Sequence, residues 1–103
     1  MNAQMKKGIV ELCVMKLLDK NQSSTFEILK QIKDLDVNQN TVYPILRRLN
    51  NDGYLNCEKG NNAIGAPRKY YSLSDEGKER LTTLIEAWRS FTDSVNVILE
   101  EDK

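Results

Sequence analysis

The feature that most constrains this chain lies near its end. Leu81, Leu84, Trp88, Phe91, Val95 and Ile98 are spaced 3-4-3-4-3 within a run from Ser74 to about Glu101, and Ile85 and Leu99 widen the stripe. Such a run is one amphipathic helix, opened by Ser74 as a cap with Asp75 and Glu76 set against its free amides and positive dipole end. Roughly 27 residues at 1.5 Å each make it about 40 Å long. In a chain of 103 residues the body ahead of it is too small to cover that length. A domain this short buries only about 65% of its unfolded surface, which leaves a lone copy marginally stable. Part of the seam is therefore expected to meet a second copy, through Leu81, Leu84, Ile85, Trp88, Phe91, Val95 and Ile98.

The preceding residues read as three helices and a hairpin. From Lys6 to Asp19, Val10, Cys13, Val14, Leu17 and Leu18 form one apolar face and Met5, Ile9 and Leu12 a second, so this helix needs two partners. Asn21-Gln22-Ser23-Ser24 breaks it. Ser23 or Ser24 caps a short second helix whose buried face is expected to be Phe26, Ile28, Leu29, Ile32 and Leu35. After the brief turn Asp36-Val37-Asn38, a third helix runs to about Asp52, with Asn38 as its N-cap and Gly53 as its stop. Val42, Ile45, Leu46 and Leu49 make its apolar stripe, and Asn40, Pro44, Arg47, Arg48 and Asn51 share the opposite side. Pro44 removes one main-chain hydrogen bond and is expected to bend the helix. Tyr54 to Lys59 and Arg68 to Leu73 read as paired strands around the tip Gly60-Asn61-Asn62-Ala63-Ile64-Gly65. Tyr54 and one of Tyr70 and Tyr71 are expected in the core.

Composition removes most catalytic chemistry. The chain has no histidine, and so lacks the commonest general base, nucleophile partner and transition-metal ligand. Its five glycines, Gly8, Gly53, Gly60, Gly65 and Gly77, form no phosphate-cradling loop. Cys13 and Cys57 are far apart and read as small apolar fillers rather than a disulfide or reactive thiols. An enzyme, a metal site and a cofactor are not expected. With no signal peptide and no membrane-length apolar run, the expected location is the cytoplasm.

Net charge is zero, but it is not evenly spread. Residues 1–37 carry six Lys/Arg against five Asp/Glu, residues 38–73 carry five (Arg47, Arg48, Lys59, Arg68 and Lys69) against two, and residues 74–103 carry four against eight. A basic middle and an acidic end suit a molecule that offers one face to phosphate. The element order is that of a winged helix-turn-helix: mainly α with a small β-hairpin wing in residues 1–73, followed by a long C-terminal dimerisation helix in residues 74–103, together one compact unit. On that plan the third helix enters the major groove of double-stranded DNA. Asn38, Gln39, Asn40 and Thr41 sit at its leading end, where amide side chains pair with adenine and arginine with guanine, and Tyr43, Arg47 and Arg48 follow. Lys59, Arg68 and Lys69 of the wing sit against phosphates or in the neighbouring minor groove.

Three stretches, Asn40-Thr41-Val42-Tyr43-Pro44-Ile45-Leu46-Arg47-Arg48-Leu49, Asp52-Gly53-Tyr54-Leu55 and Gly65-Ala66-Pro67-Arg68-Lys69-Tyr70-Tyr71-Ser72-Leu73-Ser74-Asp75-Glu76-Gly77, resemble the signature of the PadR family of bacterial transcription regulators. The resemblance implies a winged-helix homodimer, usually a repressor, that leaves its pseudo-palindromic operator when a small effector binds. It places Thr41 and Tyr43 near DNA and makes Lys69 the wing base. Asn38 stands where the family often has Ser, and Thr25 and Phe26 replace its common Gly and Tyr. The single C-terminal helix resembles the short branch, some members of which hold planar aromatic drugs between subunits. There a tryptophan in an E-x-W context like that of Trp88 stacks on the ligand, so Trp88, with Met5, Ile9, Met15 and Asp93, marks a candidate effector site. The plainer alternative for Trp88 is that it fills the dimer core beside Phe91. For the whole chain, the alternative is a winged helix that docks on a partner protein and leaves DNA alone.

Overall fold

The structure, a computed structural model, describes residues 3–60 and 68–100, with side chains from Lys7 onward. Most of the expected wing tip, with Gly65-Ala66-Pro67, therefore lies outside the described residues, as does the side chain of Met5. The elements run α1 (Ala3–Lys20), β1 (Ser23–Ser24), α2 (Thr25–Gln31), a 3-10 turn (Lys33–Leu35), α3 (Gln39–Asn51), β2 (Leu55–Gly60), β3 (Arg68–Leu73) and α4 (Asp75–Leu99).

The sheet has three antiparallel strands in the order β1-β3-β2, one more than the hairpin expected. Leu55 to Gly60 pair with Leu73 to Arg68, and Ser23 and Ser24 pair with Tyr71 and Tyr70. A two-residue strand has no hydrophobic period to announce it. Ser24 serves twice, since its backbone pairs with β3 while its side chain caps α2. Its hydroxyl accepts from the Glu27 amide at 3.2 Å, and the Glu27 carboxylate accepts from the Ser24 amide at 2.9 Å. This reciprocal box satisfies two of the amides that any helix start leaves free, so a helix of only seven residues can begin sharply at the sheet edge. These hydrogen bonds hold the Glu27 carboxyl below its ordinary value of 4.5.

One core is shared by the four α-helices and the two longer strands. It holds Val10, Val14, Met15 and Leu18 of α1, Ile28 and Ile32 from α2 and its end, Val42, Ile45, Leu46 and Leu49 of α3, Leu55 and Leu73 of the sheet, and Leu81 of α4. Tyr54 and Tyr71 pack partly against it, as expected. α3 continues through Pro44. A proline inside a helix costs about 3 kcal/mol, whereas each fully buried aliphatic side chain gains about 1.5–3 kcal/mol. Four buried residues on one stripe therefore outweigh the missing hydrogen bond. Gly53, with φ +84°, then turns the chain from α3 into β2.

Several expectations are corrected by this packing. Phe26 is 65% exposed and Leu35 is also at the surface. Phe26 lies two residues from buried Ile28, about 200° around a helix, and α2 ends before its period reaches Leu35. Met15 is wholly buried, so it belongs to the core and lines no ligand pore. Cys57 is exposed on β2 rather than filling space, while Cys13 is half-buried, and burial raises its thiol pKa.

The beginning of α4 is locked to its own domain. The Ser74 hydroxyl accepts from the Gly77 amide at 3.0 Å and donates to the Gly53 carbonyl at 2.6 Å. Gly77 lies so close to the Tyr54 carbonyl that a β-carbon there would overlap it. Leu81 is 3% exposed and faces the core of its own chain, not a partner as the stripe suggested, and Leu84 and Ile85 pack beside it. Farther along, Trp88 is 40%, Phe91 66% and Ile98 68% exposed. The helix carries these residues outward, and the chain measures 59 × 28 × 20 Å.

Ser24→Ala is expected to destabilise the fold by about 1 kcal/mol in urea unfolding at neutral pH, because it removes a cap that two elements share. Glu27 adds a pH signature. Its folded pKa is depressed, so its contribution is complete above the ordinary carboxylate value of 4.5 and is lost as pH falls through the lower folded value. The gap in urea midpoint between the parent and Glu27→Gln should therefore be constant from pH 7 to 5 and close below about pH 4.5. A gap unchanged at pH 3 would show that the carboxylate does not serve the cap.

Candidate nucleic-acid interface

The α2–turn–α3 unit presents one face of α3 outward. Between the two helices Asp36 takes the left-handed conformation (φ 54°), which short polar residues tolerate. The Asn38 Oδ1 accepts from the Asn40 amide at 2.9 Å, so its oxygen is engaged in capping and its amide NH2 remains for a partner. Gln39 and Asn40 are exposed and Thr41 is half-buried. Tyr43 and Arg47, four residues apart, stand one turn above the other on the outer side.

These residues meet the sheet across a groove of about 440 Å³ lined by Ser24, Thr25, Phe26, Tyr43, Arg47, Arg68, Lys69 and Tyr71. Four expected site residues, Tyr43, Arg47, Arg68 and Lys69, thus come together from α3 and β3. Ser24, Thr25, Phe26 and Tyr71 were not expected there. Phe26 carried one readable signal, its position off the stripe of Ile28 and Ile32, but the others depend on how β1 docks. Burial foremost raises the pKa of the Tyr71 phenol, helped by the neighbouring Cys57 thiol and Tyr43. Tyr71 is therefore a neutral hydrogen-bonding group at working pH. Lys59 does not line the groove. It sits directly opposite Lys69 in the β2–β3 register, a like-charge pair that costs stability unless an anion lies nearby.

Arg48 is placed differently from Arg47. Its guanidinium forks onto Glu11 of α1, with N–O distances of 2.7 and 3.2 Å, and this pairing raises its already high pKa. A step of 100° around α3 has sent the two adjacent arginines to different surfaces. Arg48 lines a second hollow of about 410 Å³ with Gly8, Glu11, Leu12, Arg80, Leu84, Ala87, Trp88 and Phe91. Of the expected effector residues, Trp88 lines this hollow, whereas half-buried Ile9 and exposed Asp93 do not. No cluster of potential metal ligands occurs among the described residues, and no described helix is long and apolar enough to cross a membrane.

Residues 14–83 match the family model described as the transcriptional regulator PadR-like family, which covers more than half of the chain. The chain belongs to the PadR-like family of transcriptional regulators. A PadR-like transcription factor from Bacteroides fragilis shares 38% identity, with 93% of this chain and 95% of that chain covered and a TM-score of 0.80. A PadR family regulator from Eggerthella lenta shares 30% identity over 94% and 87% of the two chains, with a TM-score of 0.83. For a PadR-like regulator from Bacillus cereus the values are 25%, 95% and 98%, and 0.84. Comparison with curated protein sequences gave no significant match. This PadR-like protein is thus a DNA-binding transcription regulator with a winged-helix fold, and not an enzyme.

The two arginines of α3 should separate experimentally. With a mixed-sequence duplex in fluorescence anisotropy, Arg47→Ala is expected to weaken binding about tenfold and to reduce the slope of log affinity against log salt by about one unit. Arg48→Ala should leave the slope unchanged, because its charge is directed to Glu11. Equal slopes for the two variants would contradict this division.

Proposed function

We propose that the protein is a ligand-responsive repressor that acts in the cytoplasm as a homodimer on a pseudo-palindromic operator. The observation that carries this reading is the outer half of α4, where Trp88, Phe91 and Ile98 are exposed on a seam whose first member, Leu81, is sealed in the core. A coiled-coil-like stripe left open in one chain is what an isologous interface between two copies would close. In this reading residues 74–103 form the dimerisation segment, with Leu84, Ile85, Trp88, Phe91, Val95 and Ile98 at or beside the contact. Residues 1–73 form the DNA-binding unit.

Two α3 helices related by a two-fold axis would enter successive major grooves about 34 Å apart. Asn38, Gln39, Asn40 and Thr41 at the leading ends would meet base edges. Tyr43, Arg47, Arg68 and Lys69 would meet the backbone along the groove, with Lys59 on the flank of the wing. Repression is inferred from resemblance to the family, and it requires only that the bound dimer occupy a promoter. Release requires an effector that binds the DNA-free form more tightly, since a ligand with equal affinity for both forms shifts nothing. The half-exposed Trp88 ring, flanked by Leu12, Leu84 and Phe91, offers a stacking surface for a planar aromatic compound.

One titration tests the reading. Planar aromatic compounds are added to the protein bound to a labelled duplex from upstream of its own gene, while Trp88, the only tryptophan, and the DNA label are followed together. The expected result is quenching of Trp88 at the concentrations that release DNA. Asn40→Ala should alter base preference at two symmetric positions of the footprint. A footprint without two-fold symmetry would rule out the dimeric mode. DNA release without a Trp88 response would place the effector elsewhere.

A further inference from the structure

Phe26 is the exposed aromatic side chain lining the α2–α3–wing groove that the DNA-binding plan leaves without a task. It turns away from Ile28 and the core, and it is 65% exposed. A single exposed apolar side chain needs no explanation. Phe26, however, is held against a cation: the Arg68 Cζ lies 5.9 Å from its ring centroid, within the range of a cation–π contact. The local fold imposes the pairing. β1 ends at Ser24 opposite Tyr70, so the first turn of α2 is brought beside the start of β3, and Arg68 is two residues from that pairing. Glu27 is the nearby carboxylate, but its oxygen is bonded to the Ser24 amide, and it bears on Arg68 only through its field. No hydrogen bond or salt bridge to a described residue holds the Arg68 side chain. Among the described residues, the Phe26 ring is the partner the structure gives the Arg68 guanidinium.

We propose that Phe26 is a positioning residue for DNA binding: its ring carries the Arg68 guanidinium at the mouth of the groove, edge outward, where it engages a phosphodiester of the duplex. A guanidinium held near a ring by a cation–π contact keeps N–H groups free for an anion, and it loses less side-chain freedom on binding than one that projects into water. The expected partner is the sugar-phosphate backbone and not a base, because Arg68 stands on the wing side of the groove opposite Arg47 of α3. This inference rests on the reading of the groove as the face that meets DNA.

The test is a mutant cycle on the full chain with a mixed-sequence 30-base-pair duplex, measured by anisotropy over a range of salt. Arg68→Ala is expected to weaken binding about tenfold and to reduce the salt slope by about one unit. Phe26→Ala and Phe26→Leu should each weaken binding about three- to tenfold, Phe26→Tyr should restore it, and Phe26→Ala should cause no further loss in the Arg68→Ala background. Because Phe26 is exposed, urea midpoints of its variants should stay near that of the parent, which separates this role from a structural one. Parent-like binding by Phe26→Leu, or the same loss from Phe26→Ala with and without Arg68, would overturn the positioning role while leaving the groove as the interface. Parent-like binding by Arg68→Ala would overturn both.

Discussion

The constraint on which the rest depends is the division of α4 between two environments. Its first two turns are locked to the winged-helix body by the Ser74 cap, by the approach of Gly77 to the Tyr54 carbonyl and by the burial of Leu81. These contacts fix the direction in which the remaining turns leave. Trp88, Phe91 and Ile98 are carried beyond the core on a helix whose apolar seam is left partly or largely exposed. Covering large aromatic and aliphatic side chains gains roughly 1.5–3 kcal/mol each, which is what a second copy laid along the seam would recover. The same direction would set the distance between two recognition helices, which connects packing to the spacing of half-sites on DNA.

The second organising element is α3, whose two sides belong to different surfaces. One stripe is wholly buried, and that burial tolerates Pro44 in mid-helix. The outer side is split by a single residue step between Arg47, in the groove beside the wing, and Arg48, which is clamped to Glu11 near Trp88. An exposed ion pair by itself contributes little to stability, about 0–1 kcal/mol. Its interest lies in position. It joins the helix proposed to read DNA to α1 and to the hollow proposed to take an effector, so a change at Trp88 has a short physical route to α3.

How much of this was legible in the sequence follows from the range over which each signal acts. The period of Val42, Ile45, Leu46 and Leu49, the caps at Ser24, Asn38 and Ser74, and the glycine stop at Gly53 are local, and helix boundaries followed from them to within a few residues. Phe26 and Leu35 read as core in the sequence because the apolar residues continue past the point where the seven-residue helix ends. β1 is silent in the sequence because two serines carry no pattern until β3 lies beside them. Arg48 read as a DNA contact because nothing in its neighbourhood reveals Glu11, 37 residues earlier in the chain. Leu81 read as an interface residue because a heptad stripe does not reveal where its own domain stops. The family was carried by Thr41-Val42-Tyr43-Pro44 and the wing motif, and the match over residues 14–83 agrees with it. The groove, in contrast, is a product of tertiary pairing.

The account stands or falls on whether the open half of α4 is closed by a second copy. Sedimentation equilibrium of the parent and of a Phe91→Glu, Ile98→Glu double variant, from about 0.1 to 50 μM, measures this directly. Both substituted residues are exposed in the single chain, so its folding should survive the change. The account predicts a parent that is dimeric at micromolar concentration and a folded, monomeric variant. A parent that remains monomeric throughout, or a variant that dimerises as tightly as the parent, would contradict it.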